Sequence, residues 1–101
     1  MGVSSVRMAK VLANRDGVRA AAHRHRATTI AVFGSVARGD DGPGSDVNFL
    51  VDLDVARRGL SLVEGLRVEL EELLGMPVDV APRQLLSPQN VATALAEAIP
   101  L

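Results

Sequence analysis

The sequence predicts an α/β (α+β) domain in which a small sheet carries helices packed against it. Three observations lead there. Two apolar, β-branched runs, residues 28–33 and 46–52, flank a loop rich in glycine and aspartate. A leucine-rich stretch over residues 62–74 then repeats at helical spacing. A third short apolar run at 77–81 is followed by a serine-proline helix start at Ser87-Pro88. The length of 101 residues suits one domain, residues 1–101, and is too short for a second core.

Composition narrows the class. Hydrophobic residues make up 48% and charged residues 23%, a globular balance and not a disordered one. Eleven basic and 12 acidic side chains leave a net charge of −1, without the basic excess that direct nucleic-acid binding needs. The absence of cysteine excludes disulfides and thiolate metal sites and fits a reducing compartment. No apolar run reaches membrane-spanning length, and the first residues lack a secretory pattern, so the expected location is cytoplasmic. Phe33 and Phe49 are the two aromatic residues, so Val, Leu, Ile and Ala must build the core.

Taken in order, residues 1–13 mix apolar positions with Ser and Arg and fit a short helix or an extended arm equally. Asn14 is a candidate cap for a helix over residues 15–26, with Asp16 in its first turn and Val18, Ala21, Ala22 and His25 on one face. The Arg24-His25-Arg26 cluster at its end suits the helix dipole and reads as a solvated terminus. His23 and His25, two apart on a helix, share no face for a metal. Residues 28–33 read as a buried strand ended by Gly34, and the loop 39–44 is too rich in Gly, Asp and Pro for regular structure. In the second strand, alternation sends Val47, Phe49 and Val51 to one side and Asp46, Asn48 and Leu50 to the other. Asp52 and Asp54 at its end read as solvated. Ser61-Leu62-Val63-Glu64 has the form of a capping box. Leu62, Leu66, Leu70, Leu73 and Leu74 then face the core, while Glu64, Arg67 and Glu71 alternate in sign on the wet side. Gly75 stops that helix and Pro77 keeps it stopped. Ser87 and Pro88 start a last helix with Val91, Ala92, Leu95 and Ile99 on its apolar face, closed by Pro100.

Three local features carry chemistry. Gly34-Ser35 directly after a strand lets backbone approach a ligand, and a helical turn beginning at Ser35 would offer free N–H groups to an anion, with the Ser35 hydroxyl and Arg38 as further donors. Asp46 and Asn48, two apart on a strand, put two oxygen-bearing side chains on one face, a pattern that suits a hard divalent cation. Asp79, between Val78 and Val80, is a carboxylate in a place where strands disfavour one. Each alone also reads as an ordinary turn, a polar strand side or an exposed position. Together they match the needs of metal-assisted attack on a nucleotide phosphorus.

Gly34-Ser35-Val36-Ala37-Arg38-Gly39, Ser45-Asp46-Val47-Asn48-Phe49-Leu50-Val51-Asp52 and Pro77-Val78-Asp79-Val80, in this order, resemble the minimal nucleotidyltransferase (MNT) family, and more closely its antitoxins, which pair with HEPN ribonuclease toxins. The resemblance implies a nucleotidyltransferase fold with a small mixed sheet, ATP as substrate and a pair of Mg²⁺ ions. It implies that Gly34 and Ser35 hold phosphates, that Arg38 neutralises their charge, and that Ser45 belongs to the nucleotide-binding loop as a supporting residue. It implies metal ligation by Asp46, position 48 and Asp79, with Asp46 and Asp79 catalytic, and transfer of AMP to a tyrosine of the toxin. One position departs from the pattern: the second metal carboxylate is Asn48. Asparagine keeps a carbonyl oxygen but loses a negative charge, so metal binding and transfer should weaken. The first expected function is therefore an adenylylating antitoxin with reduced transfer. The alternative is an antitoxin that acts by binding alone. A transferase for small molecules ranks last, because no second domain is present to hold an acceptor.

Overall fold

The computed structural model describes residues 5–53 and 59–101. It begins with helix α1 (Val6–Ala13), whose N-cap Ser5 accepts from the Met8 N–H at 3.0 Å. Met8 and Val11 are buried, so this segment is a helix and not an extended arm. Helix α2 (Arg15–Arg24) follows without a linker, Asn14 ending one helix and opening the next. The Asn14 side chain does not cap α2; it donates to the Lys10 carbonyl at 2.8 Å, one turn back. Val18, Ala21 and Ala22 bury the expected face. The helix ends two residues short of the expected limit because Arg26 takes a left-handed φ of 65°, with Ala27 N–H returning to the Ala22 carbonyl at 2.9 Å. Arg24 and His25 are not a free terminus: both engage Glu69 of the later leucine-rich helix, His25 at 3.0 Å.

Among the described residues, four strands form one mixed sheet in the order β3-β2-β1-β4. Strand β1 (Thr29–Phe33) pairs antiparallel with β2 (Val47–Asp52), and β2 pairs parallel with β3 (Val78–Pro82). Between β1 and β2 lies the four-residue helix α3 (Ser35–Arg38). The parallel pair is joined through α4 (Gly59–Leu74), as parallel strands require a crossover. Gly75, at φ 67°, stops α4. A short 3₁₀ turn (Arg83–Leu85) leads to α5 (Pro88–Glu97), capped by Ser87, which accepts from the Asn90 N–H at 3.2 Å.

The core sits between one sheet face and the helices. Val32, Val47, Phe49 and Val51 meet Val11 and Val18 from the N-terminal helices and Leu66, Leu70 and Leu74 from α4. Glu64, Arg67 and Glu71 line the outer side as an ion-pair ladder at 2.5 Å and 2.8 Å.

Further expectations need correction, among them the apolar face of α5, where Ala94 is the buried residue while Ala92 and Leu95 are exposed. Ser61 is not a cap, because α4 already runs from Gly59 and places Ser61 inside its first turn. Ile99 and Pro100 are not the end of the last helix; α5 stops at Glu97 and Ile99–Pro100 forms β4, antiparallel to β1. Asp52 is not simply solvated, since its carboxylate accepts from Gln84 and lies 3.7 Å from Arg83. Asp54 falls outside the described residues.

Candidate active site

The turn after β1 is shaped by its glycines. Gly34 has φ 77° and ψ −153°, a region essentially closed to other residues, and α3 starts immediately after it. Gly39 closes the turn at φ 83°, and its N–H and that of Asp40 return to the Ser35 carbonyl at 2.9 Å and 3.0 Å. Gly34 also presses on the neighbouring strand. A Cβ there would lie 2.8 Å from Asn48 Nδ2. The Gly34-Ser35 turn is thus seated against the side chain at position 48.

The strand register supplies the other half. Asn48 is the direct partner of Asp79 in the parallel β2–β3 pair and of Phe33 in the antiparallel β1–β2 pair. Directly paired residues point to the same face of a sheet, on strands about 4.8 Å apart. Val78 and Val80 are buried at 4% and 7% on the core side, so Asp79 faces away from the core as alternation predicts. Asp46 lies one residue before β2, exposed, on the approach to Asn48. Gly34, Asn48 and Asp79 therefore lie at one end of the β1–β2–β3 surface, and Ser35 and Arg38 follow Gly34 on α3.

The donor set fits a magnesium-held phosphate in kind, with two exposed carboxylates and one amide. No group of three His, Cys, Asp or Glu side chains gathers among the described residues. Asn48 Nδ2 is the end turned toward Gly34, which leaves the carbonyl Oδ1 directed away from the turn. The cleft of about 560 Å³ between α2 and the β1 edge, lined by Arg19, His23, Thr29 and Leu101, includes none of these residues.

Arg38 is held by two carboxylates. Its Nε donates to Asp40 at 3.1 Å and its Nη1 to Glu97 at 2.8 Å. Those bonds, Asp40 first and then Glu97, hold the guanidinium still more firmly protonated than usual. The other Glu97 oxygen accepts from the Gly34 N–H at 3.1 Å. Glu97 was not among the residues the sequence singled out. It stands 63 positions from Gly34, at the end of a helix, in no recognisable spacing to the motif. Ser45 bonds within its own loop: its Oγ accepts from the Gly42 N–H at 2.8 Å and its own N–H donates to the Gly42 carbonyl at 3.0 Å.

The chain matches the nucleotidyltransferase domain family over residues 17–101. It is 37% identical over 90 residues to the protein adenylyltransferase MntA of Thermococcus cleftensis, covering 89% of this chain and 81% of that one. It is 36% identical over 76 residues to the "putative protein adenylyltransferase MJ0435" of Methanocaldococcus jannaschii, covering 75% of this chain and 81% of that one. A solved structure described as a "putative minimal nucleotidyltransferase" superposes with a TM-score of 0.82 at 37% identity, over 99% of this chain and 100% of the other. The mixed sheet and its helices agree with these matches, and the chain belongs to the minimal nucleotidyltransferase family.

Proposed function

We propose that this chain binds ATP with Mg²⁺ and is the antitoxin of a HEPN ribonuclease toxin, on which it acts as a protein adenylyltransferase weakened by Asn48. The observation that carries this reading is the register that sets Asn48 beside Asp79, with the Gly34-Ser35 turn packed on the same Asn48 side chain. Two relatives described as protein adenylyltransferases support a protein as the acceptor.

In this reading Asp46, Asn48 and Asp79 are the ligands of the metal. Bound Mg²⁺ supplies Lewis-acid charge neutralisation at the phosphates. The chain's own groups do the rest. The backbone and hydroxyl of Ser35 and the Arg38 guanidinium bind and orient the triphosphate. Asp79, exposed and on the face shared with position 48, accepts the proton of the tyrosine hydroxyl as its oxygen bonds to the α-phosphorus of ATP and pyrophosphate leaves.

Asn48 favours one further reading, neutralisation of the toxin by binding alone. A neutral amide in the middle of the acidic set lowers its charge by one, and magnesium relies on few protein carboxylates. The two readings separate in one assay with labelled ATP, Mg²⁺ and the cognate toxin, comparing the chain with its Asn48→Asp variant. Weak or no label from the parent chain and strong label from Asn48→Asp is the expected result. Equal labelling would remove the charge argument. No label from either would leave binding alone as the mode of action.

A further inference from the structure

We infer that Glu97 is a positioning residue for nucleotide binding, acting through Arg38 and the Gly34 turn; this rests on the nucleotidyltransferase reading of the site. An arginine on a four-residue helix is a long, flexible donor, and ordering it on a phosphate costs conformational freedom unless the protein has already ordered it. Two carboxylates hold Arg38, and they are not equivalent. Asp40 is two residues away on the same turn, with its side chain 62% exposed. Glu97 comes from α5, 59 residues away, with its side chain 24% exposed. Glu97 is also fixed from its other side. The β1–β4 ladder pairs Val32 with Ile99, and continuing that register sets Glu97 opposite Gly34, whose N–H it accepts at 3.1 Å. One carboxylate therefore spans the end of β1 and the tip of α3, one oxygen on each.

The geometry leaves Arg38 partly free in a useful way. Its Nε and Nη1 are engaged, and among the described residues Nη2 has no acceptor. A planar guanidinium pinned along two of its nitrogens presents the third in a fixed direction. Glu97 thus fixes where Arg38 offers its remaining donors, while its second oxygen holds the backbone from which Ser35 projects.

The test is a double-mutant cycle on the whole chain, reading ATP affinity in the presence of Mg²⁺ by titration calorimetry together with the melting temperature. Glu97→Ala is expected to weaken ATP binding about tenfold, within the coupling range of contacting charged residues. In an Arg38→Ala background the same change should add less than about twofold, because the residue it acts through is gone. Glu97→Gln keeps one oxygen for the Gly34 N–H but offers Arg38 only an amide N–H₂ group, so it should hold the melting temperature and still lose the affinity. Equal losses with and without Arg38 would reduce Glu97 to a structural contact. Tighter ATP binding in Glu97→Ala would make the carboxylate a competitor for the phosphate, which overturns the inference. If neither the chain nor its Asn48→Asp form binds ATP, the reading of the site itself falls; if they bind and the cycle is additive, only the assignment of Glu97 falls.

Discussion

Gly34 carries two independent constraints. Its dihedral angles lie where a side chain is strained, and the volume a Cβ would need is already taken by the Asn48 amide at 2.8 Å. Gly34→Ala should therefore destabilise the fold by about 1–3 kcal/mol, the usual cost of a residue forced into such a region. Part of the cost comes from the Asn48 contact and part from the backbone, so pairing it with Asn48→Ala should recover some of the loss and not all. Urea denaturation of the two single variants and the double variant measures both parts. If the double variant loses the sum of the single losses, the contact with Asn48 contributes nothing. At this scale the motif positions were legible, because Gly34, Ser35, Asp46, Asn48 and Asp79 are defined by neighbours within a few residues. Glu97 and the orientation of Arg38 were not, because they depend on a contact spanning 59 residues of chain.

Elements were legible where a long pattern repeats. The leucine stripe specified α4 and its buried face, and Leu66, Leu70 and Leu74 are all fully buried. Leu73 belongs to the same run but is 38% exposed, since the turn of 100° per residue carries it off the packed face. Leu70→Ala is accordingly expected to cost about 2–5 kcal/mol, and Leu73→Ala well under that, nearer the few tenths typical of surface positions. Comparing the urea midpoints of the two variants decides whether α4 buries the face described. Elements set by a few residues escaped the sequence. The capping pattern at Ser61 was a local coincidence inside a helix that begins earlier. Strand β4 has two residues, and only its pairing with Ala31 and Val32 makes it a strand. Pro100 has no N–H to continue a helix, so a helix end and an edge strand look alike in sequence.

Across the whole molecule, the loop between α3 and β2 is tied to the first helix. Arg7 on α1 donates through Nη1 to Asp41 Oδ2 at 2.9 Å and through Nη2 to the Pro43 carbonyl at 3.2 Å. This clasp joins the start of the chain to the loop that delivers Ser45 and Asp46 to the site. The Asp41 side chain is only 3% exposed, and its Oδ1 has no hydrogen-bond partner among the described residues. Burial works against ionisation there and is the largest single influence, but hydrogen bonds from Arg7, Ser5 and the backbone, with the Arg7 charge, together outweigh it and hold the carboxyl below the usual aspartate value of 3.8. A carboxyl that binds its proton less readily folded than unfolded stabilises the fold as the pH rises. Its contribution is whole above about pH 3.8 and is lost as the pH falls through the lowered folded value. Asp41→Asn should therefore be less stable than the parent chain at neutral pH, and the gap should close on acidification below that point. Arg7→Ala should weaken the same dependence, because it removes the charge that lowers the carboxyl. Stability measured against pH for the three proteins tests this; a gap between parent and Asp41→Asn that stays constant down to about pH 3, below the unfolded value, would mean that the clasp joins α1 to the loop without drawing on the charge of Asp41.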